Sequence, residues 1–218
     1  MAEFSLFEHA KLSPEEQCAR AESFHRLCSR RRSIREFSRS PVPLEVLRTI
    51  ILTAASAPSG ANRQPWHFVI VTDPELKKKI RVAAEEEEKK SYEQRMPQEW
   101  LEDLAPLGTD WRKEFLEDAP ALVAVFAKGY DLDDRRKHRN YYVKESVGIA
   151  VGFLLLAIHN AGLVALTHTP SPMDFLTRLL NRPDNERPFV LLPVGYPKEG
   201  TMVPVLRRKS IDEISTWL

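Results

Sequence analysis

The chain has 218 residues, of which 43% are hydrophobic and 29% charged, with 32 lysines and arginines balanced by 31 aspartates and glutamates. Length and composition suit a globular protein of one large or two small domains. The net charge of +1 excludes bulk attraction to nucleic acid or acidic membranes, so any basic cluster belongs to a local site. Cys18 and Cys28 show neither Cys-x-x-Cys nor metal-ligand spacing. They read as free thiols in a reducing compartment. Residues 1–11 lack the apolar core of a signal peptide. The longest apolar run, 147–158, falls short of the ~20 residues of a membrane span. The expectation is a soluble, cytoplasmic protein without a membrane partner.

Ser13-Pro14-Glu15-Glu16 predicts a helix start, with Ser13 as N-cap, Pro14 at the first turn and Glu16 closing a capping box. Phe24, Leu27 and Cys28 supply its apolar stripe. Pro43 opens a second helix, in which Leu44, Leu47, Ile50, Ile51, Ala54 and Ala55 recur at helical spacing until Ala57-Pro58-Ser59-Gly60 ends the pattern. Residues 66–72 read as a strand, and Asp73-Pro74 starts a third helix. Segment 75–95 is the most charged, and its charges read mainly as solvated surface. Trp100, Leu101, Leu104, Trp111, Phe115 and Leu116 then mix apolar bulk into polar surroundings, which predicts a flap over about 75–116. Residues 120–127 form an apolar strand of the buried kind, and 131–140 a polar loop. A helix over 141–160, apolar nearly all round in its second half, is expected to be buried. Gly148 and Gly152 share one of its faces, which suits close approach at a subunit interface. Strands at 163–169 and 189–194 flank a short helix at 174–180, and a C-terminal arm covers about 198–218.

Between the first two helices lies Arg30-Arg31-Arg32-Ser33-Ile34-Arg35. Guanidinium forks suit phosphate oxygens. Ile34, Phe37 and Val42 continue in a half-buried, strand-like pattern, so these arginines are expected to frame a pocket. The chain has no Gly-x-Gly-x-x-Gly, no Gly-Lys-[Ser/Thr] loop, no His-Glu-x-x-His, no Gly-x-Ser-x-Gly and no zinc spacing. Demanding chemistry would therefore need a cofactor held by other means.

Three stretches resemble the nitroreductase superfamily of FMN enzymes. They are Arg31-Arg32-Ser33-Ile34-Arg35, the turn Ala57-Pro58-Ser59-Gly60-Ala61-Asn62-Arg63-Gln64-Pro65-Trp66, and Leu192-Pro193-Val194-Gly195-Tyr196-Pro197. Within it, Glu85-Glu86-Glu87-Glu88 with Tyr92 and Arg95-Met96, then Trp111 and Lys113, then Thr167-His168-Thr169-Pro170 resemble the iodotyrosine deiodinase family. The resemblance runs over about 20–218. It implies an α+β sandwich, a central mixed or antiparallel sheet flanked by helices, in an intertwined homodimer with FMN at each interface site. It implies that Arg31, Arg32, Ser33, Arg35 and Arg208 hold the FMN phosphate and ribityl chain. Pro58 and Ser59 would reach the flavin from the partner subunit, and Thr167, His168 and Thr169 would follow the ring edge. The Thr169 hydroxyl near flavin N5 would favour one-electron steps, which makes it the catalytic residue. The Ala61 N–H would face a substrate phenolate, and Glu88, Tyr92 and Lys113 would grip the amino-acid end.

Glu88 and Tyr92 are four apart and share a helix face. A carboxylate that accepts an ammonium and a lysine that pairs with a carboxylate match a zwitterion. The implied reaction is reductive dehalogenation of halotyrosines, with electrons from an external donor such as NAD(P)H through a reductase. Two departures stand out. His168 replaces the threonine typical of animal members, and either tunes the flavin or donates to a backbone oxygen. Asn62-Arg63-Gln64 is closer to generic nitroreductases, so an NAD(P)H-dependent nitro- or quinone reductase is the alternative. A flavin-cleaving enzyme would leave Glu88, Tyr92 and Lys113 without a purpose. A nucleic-acid module is disfavoured by the near-zero net charge.

Overall fold

The computed structural model describes residues 3–133 and 136–218. Two compact units divide the chain, residues 1–31 and 32–218. The first unit is built on helix α1, Pro14–Ser29, whose start is the expected capping box: Ser13 accepts from the Glu16 amide at 3.2 Å, and Glu16 accepts from the Ser13 amide at 3.1 Å. Its expected apolar stripe is not buried, and Phe24 is exposed.

The second unit is organised on a four-stranded antiparallel sheet of order β1-β2-β6-β5. Its strands are β1 (Trp66–Val71), β2 (Ala121–Lys128), β5 (Val164–Ala165) and β6 (Glu186–Gly195). Side chains alternate across a strand, and here both faces are covered. On one face Trp66, Val123, Val125, Leu192 and Val194 pack with Leu47, Ile50 and Ala54 of α2 (Leu44–Ala55) and Val147, Ala150, Leu154 and Ile158 of α6 (Val143–Asn160). On the other, Val71, Leu122, Ala124, Phe126 and Leu191 meet Ile80 and Ala84 of α3 (Pro74–Lys90). Phe115 and Leu116 of α5 (Phe115–Asp118) and Phe175 and Leu176 of α7 (Asp174–Leu179) complete that layer. The sheet is continuous with the basic segment, since Ile34, Phe37 and Val42 are all buried and Ser33 and Phe37 bridge to Ala165 and Pro197.

Four expectations change. The predicted polar loop 131–140 contains a hairpin, β3 (Tyr130–Asp133) with β4 (Arg136–Arg139); its positions 134–135 lie outside the described residues. The predicted strand 163–169 pairs regularly only at Val164 and Ala165 before a single bridge from His168 to Leu191. Helix α6 is long and apolar enough to cross a membrane by length and composition, yet it packs one side into the core. Its other side, with Gly148, Ile149, Gly152 and Phe153, is exposed in this chain, contrary to the all-round burial expected. Finally, the charged α3 buries two of its charges, Lys77 and Glu88. Lys77 Nζ donates to the Glu117 and Ala119 carbonyls at 2.9 and 2.6 Å. That satisfies the carbonyl end of α5 and pins the segment that carries Lys113.

Gly195 ends β6 against Pro120. A Cβ there would lie 2.4 and 2.7 Å from the Pro120 ring carbons, and a proline ring cannot swing aside. Gly195→Ala is therefore expected to cost about 1–3 kcal/mol of overpacking, read as a lower denaturation midpoint. An unchanged midpoint would show that β6 shifts freely at this end.

Candidate active site

The site gathers where α3 ends. After Lys90 the helix widens into a π turn, Ser91–Arg95, followed by α4, Gln98–Leu104. The widened turn leaves Tyr92 beside Glu88 at the mouth of a cleft of about 320 Å³. Met96, Trp100 and Leu104 give it an apolar side, and Arg35, Lys113 and Thr167-His168-Thr169 give it a polar one. The segment from Thr109 to Lys113 closes the far wall after a left-handed turn at Gly108 (φ 61°).

Glu88 and Lys113 form an ion pair at 3.4 Å with only 10% and 4% of their side chains exposed. Lys113 Nζ also donates to the Asp110 carbonyl and lies 5.3 Å from the centre of the Tyr92 ring. Its amide donates to Glu85 Oε1 at 2.7 Å. Glu85 and Glu88 thus fix Lys113 from one helix, the Glu85 carboxylate holding its backbone amide and the Glu88 carboxylate its ammonium. Burial pushes the Glu88 carboxyl up and the Lys113 ammonium down, each partly opposed by the other's charge. A buried pair of this kind gains most when further partners complete its hydrogen bonds. Tyr92 Oη reaches the Thr109 carbonyl at 3.5 Å, and burial raises its pKa.

Arg35 lines the same cleft, and burial holds its guanidinium below the usual arginine range. Among the described residues no carboxylate pairs with it. His168 sits between exposed Thr167 and Thr169 with its side chain turned inward, edge-on to Phe115 with ring centres 5.5 Å apart. Burial first, then the Lys113 and Arg35 charges, push its pKa down to about 3, so the ring is neutral. The expected donation to a backbone oxygen is not made by Nε2, which is buried without a partner. Instead the backbone of His168 is paired, its N–H and C=O bonding Leu191 at 2.9 and 3.0 Å.

The cleft therefore brings together Arg35, Glu88, Tyr92, Lys113, Thr167, His168 and Thr169. It does not include Arg32, Ser33, Pro58, Ser59, Ala61 or Arg208. Arg32 donates to the Pro204 carbonyl of the arm, and Ser33 bridges to Ala165. Arg31 closes the first unit, its amide donating to Cys28 at 3.2 Å. Ala61 lies in a left-handed turn (φ 49°) away from the cleft, and among the described residues its N–H meets no acceptor. Sequence reading missed Glu85 and Asp110 as the fixers of Lys113, and Thr109 as a wall. Gly108, a glycine shortly before a tryptophan-lysine segment, was the available signal for the left-handed turn there. The site's chemistry fits a flavin mononucleotide. An uncompensated, half-buried arginine suits a phosphate-bearing ligand, two exposed threonine hydroxyls flank the floor, and an orphaned imidazole nitrogen awaits a polar edge.

The sequence matches the nitroreductase family over residues 28–196. It is 59% identical over 207 residues, 94% of this chain and 93% of the relative, to an iodotyrosine deiodinase of Haliscomenobacter hydrossis. It is 46% identical to iodotyrosine deiodinase 1 of Rattus norvegicus, over 97% of this chain and 75% of that protein. Among solved structures, an oxidised iodotyrosine deiodinase bound to FMN and 3-iodo-L-tyrosine superposes with a TM-score of 0.76 at 37% identity, covering 89% of this chain and 100% of that one. The chain belongs to the nitroreductase family and, within it, to the group that includes these iodotyrosine deiodinases.

Proposed function

We propose that the protein is an FMN-dependent reductive dehalogenase of halotyrosines, acting as a homodimer and converting iodotyrosine to tyrosine and iodide. The observation that carries this reading is the buried Glu88–Lys113 pair beside Tyr92, in one cleft with Thr167, His168 and Thr169. A substrate ammonium replaces Lys113 at Glu88, and the substrate carboxylate replaces Glu88 at Lys113, so each buried charge keeps a partner. The Tyr92 ring and Trp100 cover the aromatic body and exclude water.

Replacing iodine by hydrogen takes up two electrons and one proton and releases iodide. When bound, reduced FMN would supply these electrons, one at a time. The Thr169 hydroxyl would donate at the flavin edge, and Arg32, Ser33, Arg35 and Arg208 would hold the phosphate and ribityl chain. An iodinated phenol is more acidic than tyrosine, whose pKa is about 10. The Ala61 N–H stabilises its charged oxygen and so selects the phenolate. Ala61, Pro58 and Ser59 serve the partner subunit's cleft. The exposed α6 face supports that dimer, because Gly148 and Gly152 leave open space where Ile149 and Phe153 project. The exposed Val205 and Trp217 of the arm support it as well. With free thiols at Cys18 and Cys28, a soluble cytoplasmic enzyme is the consistent setting. Its electron donor is an external reductase or small reductant.

The test is release of iodide from 3-iodotyrosine by the holoenzyme under a chemical reductant, compared with reduction of a nitroaromatic by NAD(P)H. Stoichiometric iodide and tyrosine support the dehalogenase. Rapid nitroaromatic reduction without iodide release would make the protein a nitroreductase. Arg208→Ala is expected to weaken FMN binding about tenfold, the worth of one charge-assisted hydrogen bond. An unchanged FMN dissociation constant would remove Arg208 from the cofactor site.

A further inference from the structure

We infer that Arg63 is a positioning residue: through Asn140 and Asp131 it fixes the left-handed turn that aims the Ala61 amide, and so sets how strongly the protein prefers a ligand with a phenolate oxygen. The inference rests on the reading of Ala61 as the phenolate donor.

The turn between α2 and β1 is improbable on local grounds. Ala61, Asn62 and Gln64 carry φ of 49°, 52° and 48°, values that side-chain-bearing residues rarely adopt. Its internal bonds close the turn on itself: Asn62 N–H to Ser59 C=O at 3.0 Å, Arg63 N–H to Gly60 C=O at 3.0 Å, and Gln64 N–H to Ser59 Oγ at 2.9 Å. None of them fixes the direction in which the turn presents its free N–H. Gly60 has one long bond to Ser146 Oγ at 3.4 Å, and it packs so closely on Tyr142 and the Tyr141 carbonyl that a Cβ would meet them at 3.0 and 3.1 Å.

Arg63 supplies the rigid tie. Its Nε donates to Asn140 Oδ1 at 2.9 Å, and its guanidinium donates to Asp131 Oδ2 at 3.0 Å. Asn140 is buried and bound in turn, its Nδ2 donating to the Lys128 carbonyl and its N–H to Gly129, both at 3.0 Å. Lys128 Nζ holds the other Asp131 oxygen at 2.6 Å. Burial pushes the Asp131 carboxyl up, but Lys128, Asn140 and Arg63 outweigh it and keep it ionised. Lys128 ends the central strand β2 and Gly129 follows it, so the fork ties the turn to the end of that strand. A two-pronged guanidinium contact of this kind defines orientation as well as distance. Oriented donors are worth most where charge must be stabilised.

The experiment titrates the FMN-loaded protein with 3-iodotyrosine and with 3-iodophenylalanine, which lacks the phenol oxygen, following flavin fluorescence. Wild type is expected to prefer iodotyrosine. In Arg63→Met that preference falls about tenfold, through iodotyrosine alone, with FMN content and 3-iodophenylalanine affinity unchanged. Arg63→Lys, which keeps the charge without the fork, recovers only part of it. Equal losses for both ligands would mean general loosening and would overturn the assignment, as would an unchanged preference. If Arg63→Met fails to fold, Asp131→Ala removes one prong outright, and an unchanged preference there overturns the assignment equally. A wild-type protein without any preference would overturn the phenolate reading itself, and this inference with it.

Discussion

Glu88→Gln is expected to weaken 3-iodotyrosine binding about a hundredfold, because truncating one member of a buried charge pair costs ~2–5 kcal/mol, while the protein stays loaded with FMN. The size follows from burial. At 10% and 4% exposure, Glu88 and Lys113 gain little from solvent screening. Once Glu88 is neutral, the Lys113 ammonium loses its only carboxylate within 4 Å among the described residues, and the substrate ammonium finds no counter-charge. Lys113→Ala acts in the opposite sense. It leaves Glu88 buried without its cation and removes the charge that opposes the upward push of burial on its carboxyl. Both variants are read by flavin-fluorescence titration and by FMN content. Undiminished iodotyrosine affinity in both would remove the pair from substrate binding, and parallel loss of FMN would make it a fold element.

Acid sensitivity is the second large effect, and His168 drives it. Its folded-state pKa is pushed down to about 3 by burial and by the Lys113 and Arg35 charges, against about 6.5 in an unfolded chain. Between these values the unfolded state binds a proton that the folded state refuses, so stability falls as pH drops below about 6.5 and levels off only near 3. At ~1.4 kcal/mol per unit, the loss from this residue between pH 7 and pH 5 is about 2 kcal/mol. His168→Leu, which cannot titrate, is expected to narrow the pH 7 to pH 5 stability gap by that amount in denaturant unfolding. An unchanged gap would mean that the imidazole titrates in the folded protein as it does in the unfolded chain.

The parts of the fold that were legible in the sequence are those fixed by local chemistry. Ser13 and Glu16 cap α1, Asp73 accepts from the Leu76 amide at the start of α3, and Gly162 takes the left-handed position that ends α6. The hairpin β3–β4 was hidden because its charged side chains alternate with few apolar ones, and its pairing depends on anchoring at Asn140 and Asn185. Which charges of α3 are buried was equally hidden. Helical spacing places Lys77 and Glu88 on a face, but the covering segment 113–119 decides that they lose solvent. For the site, the residue types in the flap and in Thr167-His168-Thr169 were legible through resemblance, and the cleft gathers them. The orphaned Nε2 of His168, whose ring packs on Phe115, and the tie from Arg63 to Asn140 depend on contacts between residues far apart in the chain, which no local pattern encodes.

The most direct measurement is a titration of the oxidised, FMN-loaded protein with 3-iodotyrosine, with tyrosine and 2-iodophenol as controls, following flavin fluorescence. Tight quenching by iodotyrosine and much weaker quenching by either control is the predicted result. It requires both the iodinated phenolate and the zwitterion held by Glu88 and Lys113. Equal quenching by all three would contradict the account, since the buried pair would then contribute nothing to recognition.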